Sequence, residues 1–210
     1  MRRTKAEAEE TRSRIIAAAE RVFYEKGVST SSLEEVARAA GVTRGAIYWH
    51  FASKSDLFLA LSDAVPMPQE DMVREDCDCS GRDVLGGLEE IVGTWIGLMA
   101  KDEQRQRVLT ILLRCDYSGE LAPVLEKQRE ITEDHDALFA GFFRRAETQG
   151  TLSASWTPES ATRTLHWMVQ GLVTDWLLFG RHFDLETEGR AALARLFDSF
   201  RKPAAALVGS

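Results

Sequence analysis

Between residues 32 and 51, the stretch SLEEVARAAGVTRGAIYWHF fixes two helix starts and one helix stop. Ser32 followed three residues later by Glu35 has the capping-box pattern, in which a hydroxyl satisfies one free backbone N–H and a carboxylate returns to another. Gly41 stops the helix so begun, and Thr43 caps the next one. Two short helices joined by a tight glycine turn make a helix-turn-helix. The first helix of the chain spans about Ala6 to Lys26 and stops at Gly27. It offers Ile15, Ala19 and Phe23, against which Val36, Ala37, Val42, Ile47 and Phe51 have the spacing to lock the pair.

That core uses only part of the third helix. Thr43, Arg44, Tyr48 and His50 are left on a polar face, and Gly45 removes a side chain where a backbone must approach something closely. Arg44 has the reach to read a guanine edge bidentately in a major groove, while Thr43, Tyr48, His50 and Lys54 suit phosphate oxygens. Ser32 and Trp49 complete the candidate DNA-binding set, although Trp49 fits a core position equally well. The competing reading is an amphipathic hairpin whose aromatic residues finish a core. It requires the capping box, the glycine turn and the donor-rich helix to coincide by accident.

A net charge of −7 looks wrong for a DNA-binding chain until it is divided. Residues 1–56 hold ten Lys/Arg against eight Asp/Glu, and the remainder holds sixteen against twenty-five. The acidity therefore belongs to the larger part, where it costs little if it lies beyond about one Debye length, roughly 8–10 Å, from the phosphates. Arg2, Arg3 and Lys5 add a basic N-terminus suited to a neighbouring phosphate. No run of eighteen apolar residues and no secretory pattern is present, so the expected location is the cytoplasm, with no membrane partner.

The rest of the chain reads as helical throughout, giving an all-α fold. A fourth helix follows Ser53, and further helices are expected at about 83–101, 103–116, 123–149, 158–179 and 186–201, with Pro123 and Pro158 at first helical positions. Residues 65–83 contain two prolines and an acidic cluster with little periodicity, which predicts a mobile connection. The division expected is a DNA-binding domain over 1–56 and a second domain over 57–210. Cys77-Asp78-Cys79 offers half of a tetrahedral zinc site, yet no second pair stands nearby, so reduced loop cysteines are expected and redox sensing is the alternative. No HExxH, GxSxG, P-loop or dinucleotide fingerprint occurs, which argues against an enzyme and implies no cofactor or metal.

Residues 11–57, TRSRIIAAAERVFYEKGVSTSSLEEVARAAGVTRGAIYWHFASKSDL, resemble the DNA-binding domain of the TetR family of bacterial transcriptional regulators, and GVTRGAIYWHF points to its AcrR-like branch. LLRCDYSGEL and GLVTDWLL with FDL extend the similarity more faintly. The resemblance implies nine helices in two domains, a homodimer on a palindromic operator, and a C-terminal cavity for a small hydrophobic or amphipathic inducer. Thr43, Arg44, Gly45, Tyr48, Trp49, His50 and Lys54 map onto the family's DNA-contacting helix and the start of the next.

Candidate ligand residues follow from the same expectation. They are Leu61 and Val65 near the connection, Ile91, Trp95 and Leu98, Val108 and Leu112, His135 and Phe139, and His166, Val169, Gln170 and Thr174. Pockets are mainly apolar with sparse polar anchors. The polar pair that often precedes the cysteine in this branch reads Leu113-Arg114 here, so a more apolar cavity is expected. The wide apolar arc of 158–179 and the stripe of 186–201 suggest a four-helix interface between two copies. That interface is expected to use Leu165, Met168, Leu172, Trp176, Leu193, Leu196, Phe197 and Phe200. Closure of a monomer core is the competing use of these two helices.

Overall fold

The structure is a computed structural model that describes residues 5–64 and 83–203; the expected connection, with Val65, Cys77 and Cys79, lies outside them, as do Arg2 and Arg3. Among the described residues there are nine α-helices and no strand, apart from an isolated bridge between Leu152 and Arg201. We label them α1 (Lys5–Lys26), α2 (Leu33–Ala39), α3 (Arg44–His50), α4 (Lys54–Asp63), α5 (Val84–Lys101), α6 (Glu103–Arg114), α7 (Ala122–Thr148), α8 (Pro158–Leu178) and α9 (Leu185–Phe200). A single 3-10 turn, Gly119–Leu121, precedes α7.

Two compact units emerge among the described residues: one joins 5–64 to 103–130, the other joins 83–102 to 131–203. The first unit is larger than the helix-turn-helix because α6 packs on α1. Val108 and Ile111 enter the same apolar cluster as Ile15, Phe23, Val36, Ile47, Phe51 and Phe58. Phe23 and Phe58 meet edge-on at 6.0 Å. Burying each such phenyl contributes about 1.5–3 kcal/mol, which fixes how α1, α2, α3 and α4 sit on one another.

Local signals set the helix ends. Ser32 Oγ accepts from the Glu35 N–H at 3.2 Å while Glu35 Oε2 accepts from the Ser32 N–H at 3.0 Å, the expected reciprocal cap. At the other end Gly41 adopts φ +66, and two backbone bonds close the turn, Val42 N–H to Ala37 O at 3.0 Å and Gly41 N–H to Arg38 O at 3.2 Å. This six-to-one and five-to-two pairing is the Schellman arrangement, which satisfies the last carbonyls of α2 and needs a left-handed residue where Gly41 stands. Thr43 Oγ1 then accepts from the Ala46 N–H at 3.2 Å and starts α3.

In the second unit α5 and α9 share the most extensive contact. Glycines make it close: a Cβ at Gly93 would lie 2.8 Å from an Arg190 Nη, and one at Gly189 would lie 3.0 Å from both Ile96 and Leu172. At the far end Phe200 receives Phe143, Trp156 and Phe197 edge-on at 5.0, 4.9 and 5.3 Å. Thr157 caps α8 with Pro158 in its first turn, as its sequence predicts.

The placement of α8 and α9 separates the residues expected at an interface by burial. Leu165, Leu193, Phe197 and Phe200 are almost fully buried within one chain, and Trp176 is buried with its indole N–H donating to Phe183 O at 3.0 Å. These five serve the chain's own core, since a side chain already enclosed has no surface to give a partner. Met168, Leu172 and Leu196 are half-buried, whereas Trp167 and Phe179 stand 63% and 70% exposed.

Candidate nucleic-acid interface

Helix α3 sends one residue inward. Ile47 is fully buried, and Phe51, whose N–H closes the helix on Ile47 O at 2.9 Å, is buried beside it. A helix that spends only this stripe on its core exposes its other faces, because residues three or four apart share a face. Arg44 and Tyr48 form one such pair, and Gly45 and Trp49 form the next.

Tyr48 and Trp49 are 43% and 73% exposed, and the Arg44 side chain is 74% exposed. The Arg44 guanidinium carbon lies 5.6 Å from the Tyr48 ring centroid, a cation–π contact. Trp49 meets His50 edge-on at 4.5 Å, and His50 is half-buried. Gly45 is exposed, and a Cβ there would meet nothing within 4 Å, so no packing inside the chain calls for glycine at this position. Thr43 is exposed and, besides accepting its cap bond, keeps a hydroxyl proton to donate.

Two members of the expected set are committed elsewhere. Ser32 spends its hydroxyl on the α2 cap. Lys54, whose side chain is only 11% exposed, places Nζ 3.3 Å from Ser29 O, 3.2 Å from Ser31 O and 3.0 Å from Glu120 Oε1. An ammonium has three protons, and these three oxygens account for them. Lys54 therefore fastens the α1–α2 loop and the turn before α7, and it does not join the outward face.

One residue of this face was not foreseen. Glu34 on α2 brings Oε1 to 3.3 Å from Arg44 Nε and accepts a hydrogen bond from the Tyr48 hydroxyl at 3.2 Å. Nothing in local spacing signals it, because its partners lie ten and fourteen residues ahead on a different helix.

The expected ligand residues fall in both units. Leu61 and Val108 are buried and Leu112 half-buried in the first. In the second, Ile91 and Phe139 are buried, His135, Val169 and Thr174 half-buried, and Leu98 and Gln170 exposed. His166 Nδ1 lies 3.1 Å from Asp136 Oδ1, joining α8 to α7. Trp95 is buried, and its indole Nε1 meets no hydrogen-bond partner among the described residues. Among these residues no group of three or more His, Cys, Asp or Glu side chains is arranged to hold a metal ion, and no helix is long and apolar enough to cross a membrane.

Comparison with known proteins gives this geometry its setting. Residues 15–61 match the bacterial regulatory proteins of the tetR family, and residues 83–202 match the C-terminal region of MAATS-type transcriptional repressors. The HTH-type transcriptional repressor BepR of Brucella suis biovar 1 (strain 1330) is 42% identical over 205 residues, covering 97% of this chain and 98% of BepR. NalD, the secondary repressor of the MexAB-OprM multidrug efflux pump in Pseudomonas aeruginosa, superposes with a TM-score of 0.86 at 36% identity, covering 95% of this chain and all of NalD. SmeT of Stenotrophomonas maltophilia, in its complex with triclosan, superposes with a TM-score of 0.81 at 29% identity, covering 96% of each chain. These homologues are repressors, two of them of multidrug efflux pumps. With both halves matched and the helix-turn-helix in place, the chain belongs to the tetR family of bacterial regulatory proteins, a family of transcriptional regulators and not of enzymes.

Proposed function

We propose that this chain is a cytoplasmic, homodimeric transcriptional repressor of a multidrug efflux operon, released from its operator by small hydrophobic or amphipathic compounds. The observation that carries the DNA-reading half is the outward face of α3, where Arg44, Gly45, Tyr48 and Trp49 are exposed on a helix anchored by Ile47. The Arg44 guanidinium suits the O6 and N7 of a guanine, Thr43 and Tyr48 suit phosphates, and Gly45 admits a sugar-phosphate backbone close to the helix. Two copies of α3 must stand about 34–36 Å apart to engage both halves of a palindrome.

The unit-two helices support the body's role. Trp167 on α8 and Phe179 just past its end are exposed apolar side chains, and together with Met168, Leu172 and Leu196 they are the residues we assign to the dimer contact. The buried Trp95 indole and the His166–Asp136 pair supply polar anchors of the kind an apolar pocket uses sparingly. A ligand that favours one spacing of the two reading heads shifts the population away from the other.

The test is footprinting of the DNA upstream of the chain's own gene, with triclosan as the first probe. Wild-type protein is expected to protect a palindrome and to lose that protection as triclosan is added. Absence of any protected palindrome would overturn the DNA reading. Protection insensitive to triclosan and to a panel of dyes and antibiotics would leave a ligand-independent regulator in its place.

A further inference from the structure

We propose that Glu34 is a specificity-determining residue of the DNA-reading face: its carboxylate holds Arg44 and Tyr48 in place and makes indiscriminate binding to phosphate less favourable. The proposal rests on the reading of Arg44 as a base-contacting residue.

Three features carry it. First, Glu34 Oε1 faces Arg44 Nε at 3.3 Å. A carboxylate facing Nε occupies one side of the guanidinium and leaves the end-on edge, between its two terminal nitrogens, for a guanine. Between the carboxylate and the Tyr48 ring 5.6 Å away, the long side chain is held on two sides before DNA arrives. A contact geometry set beforehand loses less conformational freedom on binding.

Second, the Tyr48 hydroxyl has one proton, and it is given to Glu34 at 3.2 Å. Tyr48 donates to a phosphate only after this bond opens. Any duplex that offers phosphates but no matching base must break it without recompense from Arg44.

Third, the Glu34 side chain is itself 40% exposed on the DNA-facing surface, so its negative charge meets the phosphates through water. At about 7 Å in water a unit repulsion amounts to roughly threefold in affinity. The repulsion lowers affinity for every duplex alike, and the pre-set Arg44 restores it only where its base is present, so the combined effect is to make binding depend more on the base.

The experiment is parallel selection from a randomised duplex library with dimeric full-length wild-type, Glu34→Gln and Arg44→Ala proteins, together with affinity for one scrambled 30-base-pair duplex at fixed salt. Arg44→Ala is expected to erase the preference at one base pair per half-site. Glu34→Gln is expected to weaken that same preference by about threefold to tenfold, a fraction of a good bidentate contact. It is also expected to raise affinity for the scrambled duplex by about threefold. Equal thermal midpoints for wild type and Glu34→Gln establish that folding is intact. Should Glu34→Gln change neither the base preference nor the scrambled-duplex affinity, the role of Glu34 is overturned while the DNA reading stands. Should Arg44→Ala keep full preference, the underlying reading of Arg44 fails instead.

Discussion

Arg107 Nε lies 2.6 Å from Glu20 Oε1, tying α6 to α1 through a glutamate whose side chain is only 7% exposed. Gln104 adds a second donor to Glu20 at 3.1 Å, and the Glu20 hydrogen bond raises the Arg107 pKa above its ordinary value. Arg107→Met leaves a buried carboxylate with half its partners and is expected to cost about 2 kcal/mol. That is below the roughly 3–5 typical of a broken buried pair, because the guanidinium is partly solvated. Urea unfolding measures it, and the double variant Glu20→Leu with Arg107→Met is expected to recover most of the loss.

Lys54 distinguishes a fastening from a DNA contact. Lys54→Met is expected to lower stability by about 1.5–3 kcal/mol, the range for hydrogen bonds to a charged group. The slope of log affinity against log salt should stay at the wild-type value, whereas loss of a phosphate contact would reduce it by about 0.9. Denaturation and a salt titration of operator binding on the same preparation give both readings.

Gly45 trades folding against binding. With open space around its Cβ position and a helical backbone, Gly45→Ala is expected to raise stability by about 0.5–1 kcal/mol. The added methyl stands where a DNA backbone approaches, so operator affinity is expected to fall several-fold. A variant that gained stability and bound equally well would show that α3 keeps its distance from the duplex.

Trp167 and Phe197 lie on neighbouring helices with opposite expected phenotypes. Trp167→Glu places a charge on an exposed apolar surface and is expected to yield folded monomers in sedimentation at low micromolar concentration. Phe197→Ala empties a fully buried site and is expected to cost about 3–5 kcal/mol, seen as an earlier unfolding transition.

Cys115 is a quiet thiol. Burial, reinforced by Asp116 and opposed by Lys54, pushes its pKa up to about 11. At pH 8 its thiolate fraction is on the order of a hundredfold below that of an ordinary cysteine, so alkylation by iodoacetamide is expected to be slower by tenfold or more. Its folded-state pKa is raised, so the stability tied to the neutral thiol is present below about pH 8.5 and lost as the pH rises toward 11.

The parts of the fold written in short-range chemistry were legible in the sequence. Ser32, Glu35, Gly41 and Thr43 act on backbone groups within five residues of themselves, and each does in the structure what its spacing predicts. The contacts of Lys54 with Ser29, Ser31 and Glu120 are not legible in its neighbourhood, because an exposed lysine and a buried fastener have the same local sequence. Glu34 was missed for the same reason: only the crossing of α2 and α3 brings it to Arg44 and Tyr48. On α8 and α9, apolar spacing marks which residues avoid water, but it does not say whether the shelter is the chain's own core or another copy. Leu165 and Phe197 on one side and Trp167 on the other are separated by burial alone.

The glycines between α5 and α9 have a mechanical consequence. Arg190 sits over Gly93, Glu186 over Gly97 and Ile96 against Gly189, so the close approach is interlocked from both helices and any slide of one along the other loses it. The two helices therefore form a single rigid rail. The link between α7 and α8 through His166 and Asp136 is of another kind, a half-solvated polar pair that contributes little to holding its helices together.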